Sequence, residues 1–271
     1  MKIATDYFKK GLEKSLGFLV GALVLGTALP HLLKDVFISY SWKNVIISTS
    51  LLACFGGLLM LIFVKNGPYR KPSKTLDLTI CFQVFKNINF RKAAFGYFGH
   101  MWELYTFWAF VPVLLLKYQD LHSVVSFNIQ SLSFFIIAIG SLSCVLGGFI
   151  SEKKGVKKTA FNFLLLSCIC CLISPLMFLI PNKFIFTAFL LFWGMVVIAD
   201  SPLFSTIVAQ NAPEKDKGTA LTIVNCIGFS ITIISIQMVS SLINLTDSNY
   251  IFMILAIGPI FGLISLKKKI K

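Results

Sequence analysis

The segment GYFGHMWELYTFWAF, residues 96–110, sets a histidine and a glutamate three residues apart in a run that is otherwise mostly aromatic and aliphatic. On a helix, Gly96, His100, Glu103 and Phe107 follow i, i+4, i+7 and i+11 and share one face. Further along, Trp193, Val197, Asp200 and Phe204 form a comparable stripe. A carboxylate among such side chains needs a partner, water or a proton. An imidazole beside it can share that proton or hold the carboxylate in place. The chemistry these residues suit is the carriage of a proton or the binding of a polar solute. No HExxH pattern, nucleophile elbow or cluster of metal ligands accompanies them, so the sequence calls for no enzyme, no metal and no cofactor.

The elements that position these residues follow from composition. The chain is 56% hydrophobic and 13% charged, with a mean hydropathy of +0.83. A hydrocarbon core of about 30 Å takes roughly 20 apolar residues in a helix. Eight stretches approach or exceed that length: 17–33, 45–64, 93–116, 131–150, 160–180, 184–209, 219–245 and 250–266. They lack the short in–out alternation of a membrane β-barrel. The predicted fold class is an all-α polytopic membrane protein with eight transmembrane helices. At a rise of 1.5 Å per residue, Glu103 lies about 15 Å past Ala93, and Asp200 about 14 Å before Ala209. Both acids therefore fall near the bilayer midplane. An ionised carboxylate there costs about 2.5–3.5 kcal/mol on insertion scales. Proton carriage, a polar clamp between helices, and capping of free carbonyls near Pro202 all remain open as roles.

The net charge of +14 has a one-sided distribution. Connectors 1–16, 65–92, 151–159, 210–218 and 267–271 hold 21 of the 25 Lys and Arg, leaving Lys34, Lys43, Lys117 and Lys183 for the other side. Basic connectors face the cytoplasm, which puts both termini inside and fits a plasma or inner membrane. The same distribution gives no support to nucleic-acid binding, and the closing LKKKIK suits anionic lipid head groups. Seven cysteines, six of them in spans, read as apolar filler rather than as disulfides or metal ligands. Cys168, Cys170 and Cys171 point different ways around one helix, with no His or carboxylate near them in sequence.

The connector GGFISEKKGVKK, residues 147–158, carries the resemblance that organises the rest. Gly148, Glu152, Lys153, Gly155, Lys157 and Lys158 resemble the signature loop of the major facilitator superfamily, G-x-x-x-D-[RK]-x-G-x-[RK]-[RK], with Glu152 at the acidic position. Glycines there let helices meet at a tight turn, and Glu152 is placed to pair with Lys153, Lys157 or Lys158. The resemblance implies a twelve-helix pattern of two six-helix halves and makes this loop the second copy of the signature. The eight spans then correspond to helices 5 to 12. Residues 1–64 become a two-helix remnant of the first half, 65–92 a cytoplasmic inter-half loop, and 93–271 a complete second half. The expectation is a chain truncated at its amino end, missing four helices.

The resemblance further implies secondary active transport of a small solute by alternating access, with substrate near the midplane between the halves. Proton coupling is the expected drive, with Glu103, His100 and Asp200 as its carriers on helices that line the cavity in that family. Trp193, Phe107, Asn225 and Gln237 are cavity or substrate candidates. Trp102 and Trp108 could stack on substrate or pack in the core. Gly17, Gly21 and Gly26 are placed for close helix packing, while His31 sits near the outer interface. The expected partners are a small-molecule substrate, H+ and the lipid bilayer. The alternative is a non-transporting membrane fragment, receptor or assembly subunit.

Overall fold

The computed structural model describes residues 2–8, 10–37, 41–69, 80–213, 216–246 and 248–267. Residues 70–79 of the long connector, Pro72 among them, and the closing residues 268–271 lie outside the described residues. Every described element is helical. In chain order they are α1 (Lys2–Tyr7), α2 (Leu12–Val36), α3 (Trp42–Phe63), α4 (Ile80–Lys86), α5 (Ile88–Leu121), α6 (Ile129–Lys154), α7 (Val156–Phe178), α8 (Lys183–Ala199), α9 (Ser201–Asn211) and α10 (Lys217–Leu245). A 3-10 segment, Asn249–Ala256, then leads into α11 (Ile257–Lys267).

Asparagines start several of the long helices. Asn87 Oδ1 accepts from the backbone N–H of Asn89 and Phe90, Asn128 Oδ1 from Ser131, and Asn182 Oδ1 from Phe184 and Ile185. Each side chain satisfies donors that a helix start leaves free. Among the described residues, seven helices are long and apolar enough to cross a membrane, counting α8 with α9 and the 3-10 segment with α11. The eighth expected span is α5. At 34 residues it is the longest helix, but it is less apolar because polar and amphipathic side chains occupy the turns around His100 and Glu103.

Two expected spans are interrupted. Residues 184–209, read from sequence as one helix, divide at Asp200 into α8 and α9. Pro202 has no N–H for the carbonyl of Ile198 four residues back. That oxygen instead accepts from the Asp200 backbone N–H and, at 3.5 Å, from Cys144 Sγ. The last span begins as a 3-10 segment and becomes α-helical at Ile257, next to Pro259, which cannot donate to the carbonyl of Leu255. In α7 the proline is absorbed without a break: Ser174 Oγ donates to the Cys171 carbonyl, at 2.8 Å, which Pro175 leaves free.

The most extensive packing joins α2 to α6, α6 to α8, and α5 to both α10 and α11. With 18 buried residues, α5 is the central strut. By contrast α3 has no buried residue, is apolar all round and has α2 as its main neighbour, the composition of a helix facing lipid. Close approach decides two of the contacts. A Cβ on Gly99 of α5 would overlap the carbonyl oxygen of Gly258, and one on Gly194 of α8 would overlap that of Ile136 in α6. On α2, Gly17 and Gly21 meet the α6 carbonyls of Cys144 and Ser141, but Gly26, expected in the same role, faces open space.

Substituting Ala at Gly99 or Gly194 therefore forces backbone to move, a cost on the order of 1–3 kcal/mol for overpacking. Thermal unfolding in detergent should show that loss. Gly26→Ala should melt at or above the parent, since a helix-interior Gly gains about 0.5–1 kcal/mol on becoming Ala.

Candidate functional site

The two stripes read from sequence face one another. The Phe204 ring sits over Gly96, where a Cβ would come within 2.5 Å of it. His100 Nδ1 lies 2.8 Å from Asp200 Oδ1. Glu103 Oε1 accepts a 2.7 Å hydrogen bond from Trp193 Nε1, and the Phe107 ring packs against Trp193 with centroids 4.5 Å apart and planes tilted by 33°. The α5 stripe thus meets the α8–α9 stripe rung by rung. All of these side chains are buried, with Glu103 and His100 at 1% and Asp200 at 0% exposure.

Glu103 has further partners on a third helix. Ser167 Oγ lies 2.9 Å from Oε2, and Cys171 Sγ lies 3.2 Å from Oε1. Both are on α7, one turn apart. The sequence reading placed no carboxylate near the cysteines at 168–171. The structure corrects this, because all three cysteines are buried in the bundle and Cys171 turns towards α5. Ser167 and Cys171 were missed as functional candidates. Their signal was a polar stripe in an apolar span: Ser167, Cys171 and Ser174 at i, i+4 and i+7.

Asp200 is positioned by the break between α8 and α9. Its backbone turns the corner at φ −86° and ψ −15°, and its side chain makes no capping bond to α9. Capping of carbonyls, one of the roles left open by the sequence, would require a donor that an ionised carboxylate lacks. The carboxylate instead approaches His100 at ion-pair distance. The approach is close but not aligned as a hydrogen bond, and neither Asp200 oxygen nor His100 Nε2 has an aligned hydrogen-bond partner among the described residues. The two acids therefore differ: Glu103 is saturated by neutral donors, and Asp200 rests on one imidazole.

Other candidates lie elsewhere. Trp193 and Phe107, expected as cavity or substrate residues, are fully buried between α5 and α8, with Trp193 committed to Glu103. On α10, Asn225 is half-buried and Gln237 exposed. Trp102 Nε1 donates to the Ile254 carbonyl at 3.3 Å, while the buried Trp108 Nε1 has no partner among the described residues. α10 reaches α5 through a smaller polar link. Thr106 Oγ1 donates to Ser235 Oγ at 2.7 Å, and Ser235 Oγ donates to the Trp102 carbonyl at 2.6 Å.

In the signature loop, Gly155 alone links α6 to α7 and adopts φ +86°, a conformation that glycine takes without strain. Glu152 does not pair with Lys153, Lys157 or Lys158. It pairs with Lys14 of α2 at 2.6 Å, because the last turn of α6 packs along α2. Lys14 Nζ also lies 4.9 Å above the Phe149 ring. Gly148 serves the same seam, since a Cβ there would stand 3.0 Å from the Glu13 carbonyl. At the far end of that seam, Asp35 of α2 accepts from Asn128 Nδ2 at 3.0 Å and Ser131 Oγ at 2.6 Å. Polar contacts close α2 on α6 at both ends.

The family model for the Major Facilitator Superfamily matches residues 1–236. No curated protein matches the chain.

Removing one member of a buried polar pair leaves the other without its partner, at a cost of roughly 1–3 kcal/mol. His100→Ala should therefore destabilise the protein more than Asp200→Asn, and adding Asp200→Asn to His100→Ala should recover part of the loss. Unfolding temperatures of the four proteins in one detergent test this. Equal effects of both single variants, simply adding in the double, would show that the two side chains do not depend on each other.

Proposed function

The chain belongs to the major facilitator superfamily, whose members are membrane transporters of small molecules, and we propose on that premise that it moves a small solute by alternating access with a proton as the coupling ion. The observation that carries this reading is the pair of fully buried carboxylates with no lysine or arginine partner among the described residues. Glu103 is held by Trp193, Cys171 and Ser167, and Asp200 faces only His100. A carboxylate that deep in a membrane protein is expensive when ionised and becomes affordable when it takes a proton. Glu103, His100 and Asp200 together form the proton-carrying unit.

Residues 1–64 and 93–271 act as parts of the two halves that rock against each other, with 65–92 as the loop between them. The α2–α6 seam is the contact whose ends open in turn. Its Lys14–Glu152 pair is partly exposed, at 30% and 51% of the two side chains, so it is weak, about 0–1 kcal/mol, and cheap to break. Asn225 and Gln237 on α10 are the solute-facing candidates. The basic connectors, with both termini, face the cytoplasm of a plasma or inner membrane.

Reconstitution into liposomes tests the proposal, with solute uptake and internal pH followed together. Uptake should rise with an imposed proton gradient. Glu103→Gln and Asp200→Asn should each lower gradient-driven uptake by roughly 10²-fold or more, the scale of a lost proton-transfer group. Uptake indifferent to pH in all three proteins would remove the proton from the mechanism. Neither uptake nor proton movement with any solute would favour a non-transporting receptor or assembly subunit.

A further inference from the structure

The hydroxyl of Ser167 stands between two acceptors and has one proton to give. Its Oγ is 2.9 Å from Glu103 Oε2 and 3.1 Å from the backbone oxygen of Leu164, one turn back on α7. The other two neighbours of Glu103 approach Oε1 and act as donors: Trp193 Nε1–H can do nothing else, and a thiol is a weak acceptor. Ser167 is therefore the one partner of this carboxyl group that can reverse its role.

We infer that Ser167 is a hydroxyl switch that lets Glu103 gain and lose a proton without leaving a buried polar atom unpaired. With Glu103 ionised, Ser167 O–H donates to Oε2 while Trp193 and Cys171 donate to Oε1. When a proton arrives on Oε2, the new carboxyl O–H donates to Ser167 Oγ. The serine proton turns to the Leu164 carbonyl, and both bonds to Oε1 persist. One proton enters, one O–H bond forms on Glu103, and none breaks elsewhere. The Leu164 carbonyl has a second lone pair for this bond beside its helical one. Among the described residues Asp200 has no hydroxyl of this kind: the side chain at ion-pair distance from it is the His100 imidazole.

The titratable groups near Glu103 are Cys171, which touches it, Cys168 and Cys170 on the same helix and Asp200 at the α8–α9 junction, which is paired with His100 of α5. None of the three thiols can stand in for the switch: Cys171 is occupied at Oε1, and the hydroxyl of Ser167 alone reaches Oε2. Ser167 is thus a positioning residue for the carrier. This inference rests on the proton-coupling reading, but it concerns a property that is measurable without a transported solute.

The experiment is infrared difference spectroscopy of the full chain in lipid nanodiscs, acid minus base, with Glu103→Gln to assign the band of protonated Glu103. Among the carboxyl C=O bands of the parent protein, one should be lost in Glu103→Gln, at the position of an acid whose O–H is hydrogen-bonded. In Ser167→Ala that band should shift to higher frequency, because the acid O–H loses its acceptor while both bonds to Oε1 remain, and Ser167→Thr, which keeps a hydroxyl, should restore it. Absence of a Glu103 band across the stable pH range would overturn the inference, as would an unshifted band in Ser167→Ala. A band that behaves as expected in a protein whose transport ignores pH would retain the switch and reject proton coupling.

Discussion

A carboxylate sealed inside an apolar helical bundle must find all of its partners there, and Glu103 finds them on two other helices. Trp193 comes from α8, and Ser167 and Cys171 from α7, while Glu103 itself sits midway along α5. The group therefore specifies the distance and rotation of three helices at once. Dispersion and apolar contact alone hold membrane helices with little preference for register, since lipid tails are as apolar as the side chains they replace. Polar bonds at one depth supply that register. The aromatic rungs above and below, Phe107 on Trp193 and Phe204 over Gly96, pack around a geometry that Glu103 and His100 set.

The break at Asp200 depends on the same economy of hydrogen bonds. Pro202 leaves the Ile198 carbonyl unserved, and the chain answers by letting Asp200 N–H and Cys144 Sγ take it. Asp200 consequently occupies a corner rather than a helix face, one rung from Glu103 and opposite His100. A proline that would merely kink an exposed helix here delivers a carboxylate to an imidazole. The cost is two acid oxygens and one ring nitrogen without aligned partners among the described residues. Buried polar groups left in that condition are uncommon in stable structures, and they concentrate where a protein does chemistry.

The α2–α6 seam has the opposite character. Glycines bring the backbones together along one half, and partly exposed polar pairs close the ends, Lys14 with Glu152 and Asp35 with Asn128 and Ser131. Those end pairs are individually weak, whereas the Glu103 cluster cannot be pulled apart without leaving a buried carboxyl group unpaired. The buried cluster and the seam's ends are thus built from polar residues of the same kinds, distinguished by how much water reaches them.

The helices, their approximate spans and the two polar-bearing stripes were legible in the sequence, but not that the stripes meet. Apolar runs of membrane length and the spacing of His100, Glu103, Asp200 and Trp193 follow from a fixed rise and turn per residue. Composition determined the solvent in which the chain folds, and the loop at 147–158 carried the family resemblance before any coordinate was known. What periodicity could not reach was partner choice. It placed Glu152 beside its sequence neighbours, where the fold pairs it with Lys14, and it treated Cys171 as filler, where the fold turns it towards Glu103. Gly26 shows the same limit, being identical in kind to Gly17 and Gly21 but facing nothing. A helix presents every side to some neighbour, and sequence spacing says which residues share a side. Only the packing of one helix against another decides which side meets which, because that contact joins residues far apart in the chain whose mutual distance no local rule contains.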